Sequence, residues 1–225
     1  MKKFLALLLI ALCVCASASA EGKLTVSQKN LYVFDGEDNG YFFAKVENTG
    51  DEAVGLDSGK LVAFSDTDEI LISESYVSSC PSGVVLEPGE SVYVSEFLWD
   101  SALKDASVAD YKFSVDTGNW ATKIVRIPCE VSYELDASDV YNNYVYVTFT
   151  NPLKEPMYDL YAAVALLDAE GNLLFVDGNS ASSIAVHPGS TVTMRMRIDS
   201  DLIEYYAAHG LTVATADAMV CYEAE

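Results

Sequence analysis

Two stretches of sequence roughly one hundred residues apart decide the fold. Residues 84–92, VVLEPGESV, align with residues 184–192, IAVHPGSTV. Two further pairs of blocks align in the same order and with nearly the same offset: YFFAKVEN at 41–48 with YVYVTFTN at 144–151, and DSAL at 100–103 with DSDL at 199–202. Self-similarity at a fixed period indicates repeated structural units. We therefore expect two copies of one module of about 100 residues, which is a common domain size.

Each copy is predicted to consist of short β-strands. Val145, Val147 and Phe149 alternate with polar or amphipathic residues, and a period of two is typical of a strand with one buried face. Residues 87–89, EPG, and 187–189, HPG, place proline before glycine as a type II turn requires. Short strands with turns at this spacing are typical of immunoglobulin-like sandwiches. The predicted fold class is all-β, with two tandem immunoglobulin-like β-sandwich domains of about seven strands each.

The predicted boundary between the copies lies at Pro128. Module 1 is expected at residues 21–127 and module 2 at residues 128–225. Because no Gly/Ser-rich stretch separates the last strand of the first module from the first strand of the second, the link is not a flexible tether. We expect an end-to-end rod with restricted bending, in which residues 103–109 and 202–209 form the helical turns.

The N-terminus has the pattern of a cleaved signal peptide. Lys2 and Lys3 precede an apolar run at residues 4–14, and the small residues ASA follow at 18–20. The apolar run is shorter than the ~20 residues of a membrane-spanning helix. Residues 1–20 are therefore predicted to be a signal peptide cleaved before Glu21, which leaves a soluble protein that is secreted, either periplasmic or extracellular.

Composition excludes several classes of function. The 225 residues include 13 Lys and Arg and 34 Asp and Glu, for a formal net charge of −21, while 51% of residues are hydrophobic. The hydrophobic content argues against a disordered acidic polymer. Nucleic-acid binding needs clustered basic residues that this chain lacks, and the negative charge disfavours binding to anionic surfaces. We expect no nucleic-acid partner and no membrane insertion.

The second copy resembles a known family of domains. It contains FTN at 149–151, LY at 160–161, LLDAEGN at 166–172 and HPG at 187–189, and in these features it is similar to FxLYD-type domains. The resemblance covers roughly residues 143–198 and, more weakly, 41–97, where FSDTDE at 64–69 replaces the Gly-Asn turn. It implies a small β-sandwich module of a secreted or surface bacterial protein. The family implies no catalytic residues, and its fold alone does not define a function.

The sequence is poor in the residues that catalysis requires. Its two histidines, His187 and His209, lie in predicted loops of the second copy. No nucleophile-elbow or zinc-protease motif is present. An enzymatic function would need a general base, a nucleophile or a metal ion. The chain is predicted to be non-catalytic, with no catalytic residues and no cofactor.

Residues 35–40, DGEDNG, permit two interpretations. They resemble the first half of a calcium loop, but the twelfth position, which should hold a bidentate acid, is Val46. Alternatively they form a turn that ends in Asn39-Gly40, a strong hairpin signal before the next strand. The turn is favoured, and no metal site is predicted.

Three cysteines follow the signal peptide, namely Cys80, Cys129 and Cys221. An odd number in an exported protein allows at most one disulfide and a free thiol. Cys129 and Cys221 fall in the first and last predicted strands of the second copy and could meet. They could equally be two small apolar strand residues.

Outward-facing aromatic residues are the strongest candidate for a binding site. If Val145, Val147 and Phe149 face the core, Tyr144 and Tyr146 project together from the other side of the strand. By the same argument Tyr41 and Phe43 project from the first copy. Neighbouring rings suit a sugar or a protein partner. The alternative is that adjacent strands or the other module cover them as ordinary aromatic pairs.

Arg195 and Arg197 form a secondary candidate. Both are predicted to project from one face, where two guanidinium groups could bind a carboxylate or a phosphate, unless acids on the adjacent strand balance them. At the equivalent strand of the first copy, Phe97 and Trp99 depart from the alternation of Val92 and Val94. A β-bulge near residues 95–96 is predicted to accommodate that departure.

These features predict a secreted, non-catalytic binding or adhesion module that acts at the bacterial cell envelope or outside the cell. Its partner would be a glycan or a protein, contacted through Tyr41, Phe43, Tyr144, Tyr146, Arg195 and Arg197. The alternative is a structural or assembly protein that self-associates into a homo-oligomer through its outward aromatic face.

Overall fold

β-Strands make up most of the chain. The structure is a computed structural model that describes residues 21–105 and 107–224, and those residues form fourteen strands and two short helices. The predicted all-β class is confirmed. The predicted signal peptide at residues 1–20 lies outside the described residues.

The first part of the chain, through Ile127, contains eight strands and one helical turn. They are β1 (Leu24–Val33), β2 (Asn39–Asn48), β3 (Val54–Phe64), β4 (Ile70–Val77), β5 (Val84–Leu86), β6 (Ser91–Trp99), α1 (Ala102–Asp105), β7 (Asp110–Thr117) and β8 (Thr122–Ile127).

The second part contains six strands and one helix. They are β9 (Cys129–Glu134), β10 (Tyr144–Thr150), β11 (Leu160–Leu167), β12 (Leu173–Ala181), β13 (Thr191–Arg197), α2 (Ser200–His209) and β14 (Thr215–Glu223). The described strands thus number eight and six, not about seven in each part. The position that corresponds to β5 is reduced to an isolated bridge between Met157 and Val186.

The same strand order occurs twice. In the first part β2 lies between β1 and β6, and β3 pairs with β4 and β7. In the second part β10 lies between β9 and β13, and β11 pairs with β12 and β14. The predicted helical turns correspond to α1 before β7 and α2 before β14. Both halves are therefore built from one arrangement of a three-stranded sheet packed against a second sheet.

Strand β8 connects the two parts by hydrogen bonding. It pairs antiparallel with β14, where Val125 lies opposite Tyr222, and parallel with β5, where Lys123 lies opposite Val85. The result is one sheet with the strand order β12-β11-β14-β8-β5-β3-β4. The last strand before Pro128 therefore belongs to both parts.

The two parts lie side by side and share a core. One face of the β1-β2-β6 sheet packs on β12 and α2, and it contributes Tyr32 and Phe43 to the same buried cluster as Phe175 and Tyr206. The Tyr32 hydroxyl donates to the Leu173 carbonyl at 2.8 Å. The expectation of an end-to-end rod is wrong, because β2 buries Phe42 on one face and Phe43 on the other, and the second part of the chain covers Phe43.

The turn between β1 and β2 takes the hairpin form predicted for residues 35–40. The Phe34 amide donates to the Asn39 carbonyl at 3.4 Å, and the Glu37 amide donates to the Phe34 carbonyl at 3.1 Å. Gly36 supplies the left-handed conformation, with φ of 77°. Asn39 and Gly40 begin β2 rather than occupying the turn itself.

All three described cysteines are free thiols. Cys129 packs against the cluster that contains Phe149, whereas Cys221 is buried in the cluster that contains Phe42. These clusters lie on opposite faces of β14, since successive strand side chains point to opposite sides. Of the two alternatives for Cys129 and Cys221, the structure shows the apolar strand residues and not the disulfide.

Candidate binding surface

The outer face of the β9-β10-β13 sheet brings four of the six predicted residues together. Tyr144 lies opposite Arg197 and Tyr146 lies opposite Arg195 in the antiparallel ladder of β10 and β13. The inward residues of β10, including Val145 and Phe149, are buried as the alternation predicted. We call Tyr144, Tyr146, Arg195 and Arg197 the tyrosine–arginine face.

The aromatic rings of this face are held by specific contacts. The Arg195 guanidinium carbon lies 4.5 Å from the centre of the Tyr144 ring, a cation–π arrangement. The ring centroids of Tyr144 and Tyr146 are 6.2 Å apart. The Tyr146 hydroxyl donates to Glu134 Oε2 at 2.9 Å, and this hydrogen bond is the largest cause that raises the pKa of the Tyr146 phenol. Both residues are half-buried.

The two arginines of the face lack carboxylate partners. Among residues 21–105 and 107–224, ion pairs within 4.0 Å join Lys60 to Asp116 and Arg126 to Glu90. Neither Arg195 nor Arg197 takes part in one, although both side chains are exposed. Their guanidinium donors are free to bind a carboxylate or another acceptor from outside.

The first copy does not present an equivalent face. Phe43 is fully buried, and its ring lies 6.2 Å from that of Phe175 on β12. The prediction that Phe43 belongs to an exposed contact surface is therefore wrong, because the second part of the chain covers it. Tyr41 lies nearer the end of the strand and remains half-buried.

Tyr41 instead lines a groove between the two parts of the chain. This interlayer groove has a volume of about 320 Å³. Its lining residues come from β2, β6, β12, the end of β13 and the residue that caps α2, namely Tyr41, Ser95, Glu96, Phe97, Phe175, Val176, Asp177, Arg197 and Asp199. Arg197 belongs to both the groove and the tyrosine–arginine face, so the two surfaces are continuous.

Partial burial raises the pKa values of ionisable groups that belong to residues lining the interlayer groove. Burial raises the pKa of the Asp177 carboxyl, and burial together with nearby Glu74 raises that of Glu96. Burial and the negative charge of the neighbouring Asp199 raise the pKa of the Tyr41 phenol. The Tyr41 hydroxyl therefore keeps its proton at physiological pH and can donate a hydrogen bond.

Phe97 and Trp99 are surface aromatics that the sequence argument did not assign to the site. The register between β2 and β6 runs without interruption from Ser91 to Trp99, so the predicted bulge is absent. Phe97 is 46% exposed and Trp99 74% exposed, and the Phe97 ring centroid lies 5.1 Å from that of Tyr41. Uninterrupted alternation from Val92 and Val94 continues to Leu98 and places Phe97 on the other face, beside Tyr41. The predicted bulge had instead moved Phe97 into the core.

The histidines are not arranged for catalysis in a shared site. His187 is exposed at its turn, and the His209 ring stacks on Tyr205 at 3.9 Å between ring centres. In the part of the chain that the structure describes, no three His, Cys, Asp or Glu side chains are grouped as metal ligands would be. Neither described helix combines the length and the apolar character that crossing a membrane requires.

Comparison with known proteins gives little further information. No family model matches the sequence, and no curated protein matches it. Among solved structures, a crystal structure of red sea bream transglutaminase is similar at a TM-score of 0.25 and 14% identity, over 78% of this chain and 26% of that one. The chain spans about a quarter of the length of that transglutaminase chain. Such a low TM-score supports no conclusion about fold or activity.

Proposed function

We propose that this chain is a secreted, non-catalytic binding or adhesion protein that contacts a glycan or a protein partner through the tyrosine–arginine face. One observation carries the proposal: Arg195 stacks on Tyr144 beside Arg197, and neither arginine has a carboxylate partner among the described residues. In a chain of net charge −21, these two guanidinium groups share one sheet face without an ion pair, and Glu130 and Glu134 of β9 are the neighbouring acids on that face.

The chemistry of the face suits a ligand that has both an apolar surface and an acceptor group. The Tyr144 and Tyr146 rings offer half-buried aromatic surfaces for C–H groups of a sugar or for apolar side chains. Arg195 and Arg197 can each donate two parallel hydrogen bonds to a carboxylate. An acidic sugar or an acidic protein surface meets both requirements.

We further propose that the chain is a tandem of two immunoglobulin-like modules of the FxLYD type. The repeated strand order supports this reading, together with the Pro-Gly turns that precede β6 and β13. In this view β8 is an addition that joins the modules, and their side-by-side packing holds the tyrosine–arginine face in a fixed position relative to the first module.

Cosedimentation tests the proposed function. The chain from Glu21 onward is mixed with insoluble glycans and cell-wall material, beside the variants Tyr144→Ala/Tyr146→Ala and Arg195→Gln/Arg197→Gln. The control is Thr150→Ala/Thr191→Ala, which removes a hydrogen-bonded threonine pair from the far end of the same sheet face. All variants need circular dichroism spectra that match the wild type. Binding that is lost in the first two variants and kept in the control supports the proposal.

The other outcomes are equally decisive. Equal binding by all variants rules out the tyrosine–arginine face as the contact surface. Self-association is the alternative function, and it predicts a mass in sedimentation velocity that rises with concentration for the wild type and stays monomeric for Tyr144→Ala/Tyr146→Ala. A monomer that binds none of the glycans and none of the cell-wall material contradicts both the glycan partner and self-assembly, and leaves a protein as the partner of the face.

A further inference from the structure

The interlayer groove combines residues that no single module supplies. Tyr41 and Phe97 form one wall, with ring centroids 5.1 Å apart and planes inclined by 56°. Asp177, Arg197 and Asp199 line the same groove from the second part of the chain. The groove exists only because the β1-β2-β6 sheet packs beside β12, so it is a consequence of the side-by-side arrangement.

Both hydrogen-bond donors and hydrogen-bond acceptors lie beside the aromatic wall of the groove. Arg197 supplies donors and has no carboxylate within 4.0 Å among the described residues. One oxygen of Asp177 accepts from the Gly178 amide at 2.8 Å, and one oxygen of Asp199 accepts from the Asp201 amide at 2.9 Å. Each carboxylate therefore keeps acceptor capacity, since an ionised carboxylate offers about four lone-pair sites.

This combination matches the surface of a sugar ring. A pyranose presents C–H groups on one face, which pack on aromatic rings, and hydroxyl groups around its edge, which donate to carboxylates and accept from a guanidinium. The groove volume of about 320 Å³ is near the lower end of the ~300–1,000 Å³ of small-molecule sites. That size is appropriate for a short stretch of saccharide rather than a folded partner.

The charge of the groove restricts the kind of sugar. Two carboxylates, on Asp177 and Asp199, line it together with one guanidinium. An anionic ligand would meet net repulsion there, in contrast to the tyrosine–arginine face beside it. Phosphate-bearing and sulfated ligands are disfavoured for the same reason.

We propose that the interlayer groove binds a neutral pyranose unit, with its ring on Tyr41 and Phe97 and its hydroxyls on Asp177 and Arg197. The inference deepens the proposed function, on which it depends, by naming the ligand class of one part of the surface. Arg197 lies at the junction of the groove and the tyrosine–arginine face. A saccharide with a neutral sugar unit followed by an acidic sugar unit would therefore span both surfaces.

Titration calorimetry of the chain from Glu21 tests this inference. The probes are neutral hexasaccharides of three kinds, built of glucose in α-linkage, glucose in β-linkage and N-acetylglucosamine. The variants are Phe97→Ala, which removes a partly exposed ring, and Asp177→Asn, which keeps the shape of the side chain. Trp120→Ala is the matched control, because Trp120 is 92% exposed and does not line the groove.

We expect at least one probe to bind, with an affinity about tenfold weaker in Phe97→Ala and in Asp177→Asn, and unchanged in Trp120→Ala. Absence of binding by all three probes overturns the inference, as does an unchanged affinity in both groove variants. If Tyr144→Ala/Tyr146→Ala abolishes cosedimentation with cell-wall material while the groove variants do not weaken any probe, the proposed function stands and the groove assignment is wrong.

Discussion

Asn48 and Asn151 make the same hydrogen bonds at the same place in the two parts of the chain. The Asn48 side-chain amide donates to the carbonyls of Glu52 and Leu86 at 2.8 and 2.9 Å. The Asn151 amide donates to the carbonyls of Glu155 and Val186 at 2.9 and 2.7 Å. Both asparagines are almost completely buried. Each one ties the end of a central strand to the following loop and to the segment before the Pro-Gly turn.

Replacing either asparagine should destabilise the whole protein. In Asn48→Ala or Asn151→Ala two backbone carbonyls lose their donor, and one of them is buried. We therefore expect each variant to lower the free energy of unfolding by about 2–3 kcal/mol. Urea unfolding followed by circular dichroism measures the loss. Asn119→Ala, at an exposed asparagine, is the control and should change the free energy by less than about 0.5 kcal/mol. A loss no larger than that of the control would show that the buried bonds contribute nothing net.

Phe43 should behave as a core residue and not as a binding residue. Its ring is fully buried in the cluster that both parts of the chain share, so Phe43→Ala should cost about 3–5 kcal/mol. Phe97→Ala, at a half-exposed ring on the same sheet face, should cost about 1 kcal/mol or less. Thermal unfolding by calorimetry should show one transition that shifts as a whole. Two separate transitions, with one unaffected by Phe43→Ala, would contradict the shared core.

The thiols should react slowly in the native protein. Burial raises the pKa of Cys80 to about 11 and of Cys221 to about 12, and the thiolate is the reactive form. We expect the chain from Glu21 to show little reaction with a disulfide reagent at pH 8 until denaturant is added, when all three thiols should react without any reductant. Only one reactive thiol in the denatured, unreduced protein would reveal a disulfide.

The sequence predicts the pattern of single strands better than the partners of those strands. Val145, Val147 and Phe149 alternate with polar neighbours and are buried as expected, because one face of β10 remains open to solvent. The run from Phe42 to Ala44 is apolar at every position, which alternation cannot resolve. A strand that is buried on both faces produces such a run.

The sequence likewise predicts one part of the candidate site and not the other. Local alternation sufficed to bring Tyr144 and Tyr146 to the same face as Arg195 and Arg197, since all four lie on two paired strands. The interlayer groove depends on how two distant segments pack, and nothing near Tyr41 in the sequence indicates Arg197 or Asp177. The pairing of β8 with β14 is of the same kind, because hydrogen bonds between strands leave little record in the sequence of either strand.

Asp177 should reduce stability at neutral pH. Burial raises its pKa above the ordinary value of 3.8, so the folded state favours the protonated carboxyl. The stabilisation that comes from the protonated Asp177 carboxyl is fully present below its pKa in the unfolded state. It is lost as the pH rises through its pKa in the folded state. Asp177→Asn should therefore raise the melting temperature at pH 7 by a few degrees, and the difference should shrink toward zero below about pH 4.

A second carboxylate separates this local effect from general charge repulsion. Asp66→Asn removes the same unit of negative charge from an exposed position and should raise the melting temperature much less. Melting curves of both variants and the wild type between pH 3 and pH 8 provide the measurement. Identical shifts for the two variants would assign the effect to the net charge of −21 and not to burial. A larger shift for Asp177→Asn, combined with weaker sugar binding, would show that the groove keeps a destabilising carboxylate for the ligand it holds.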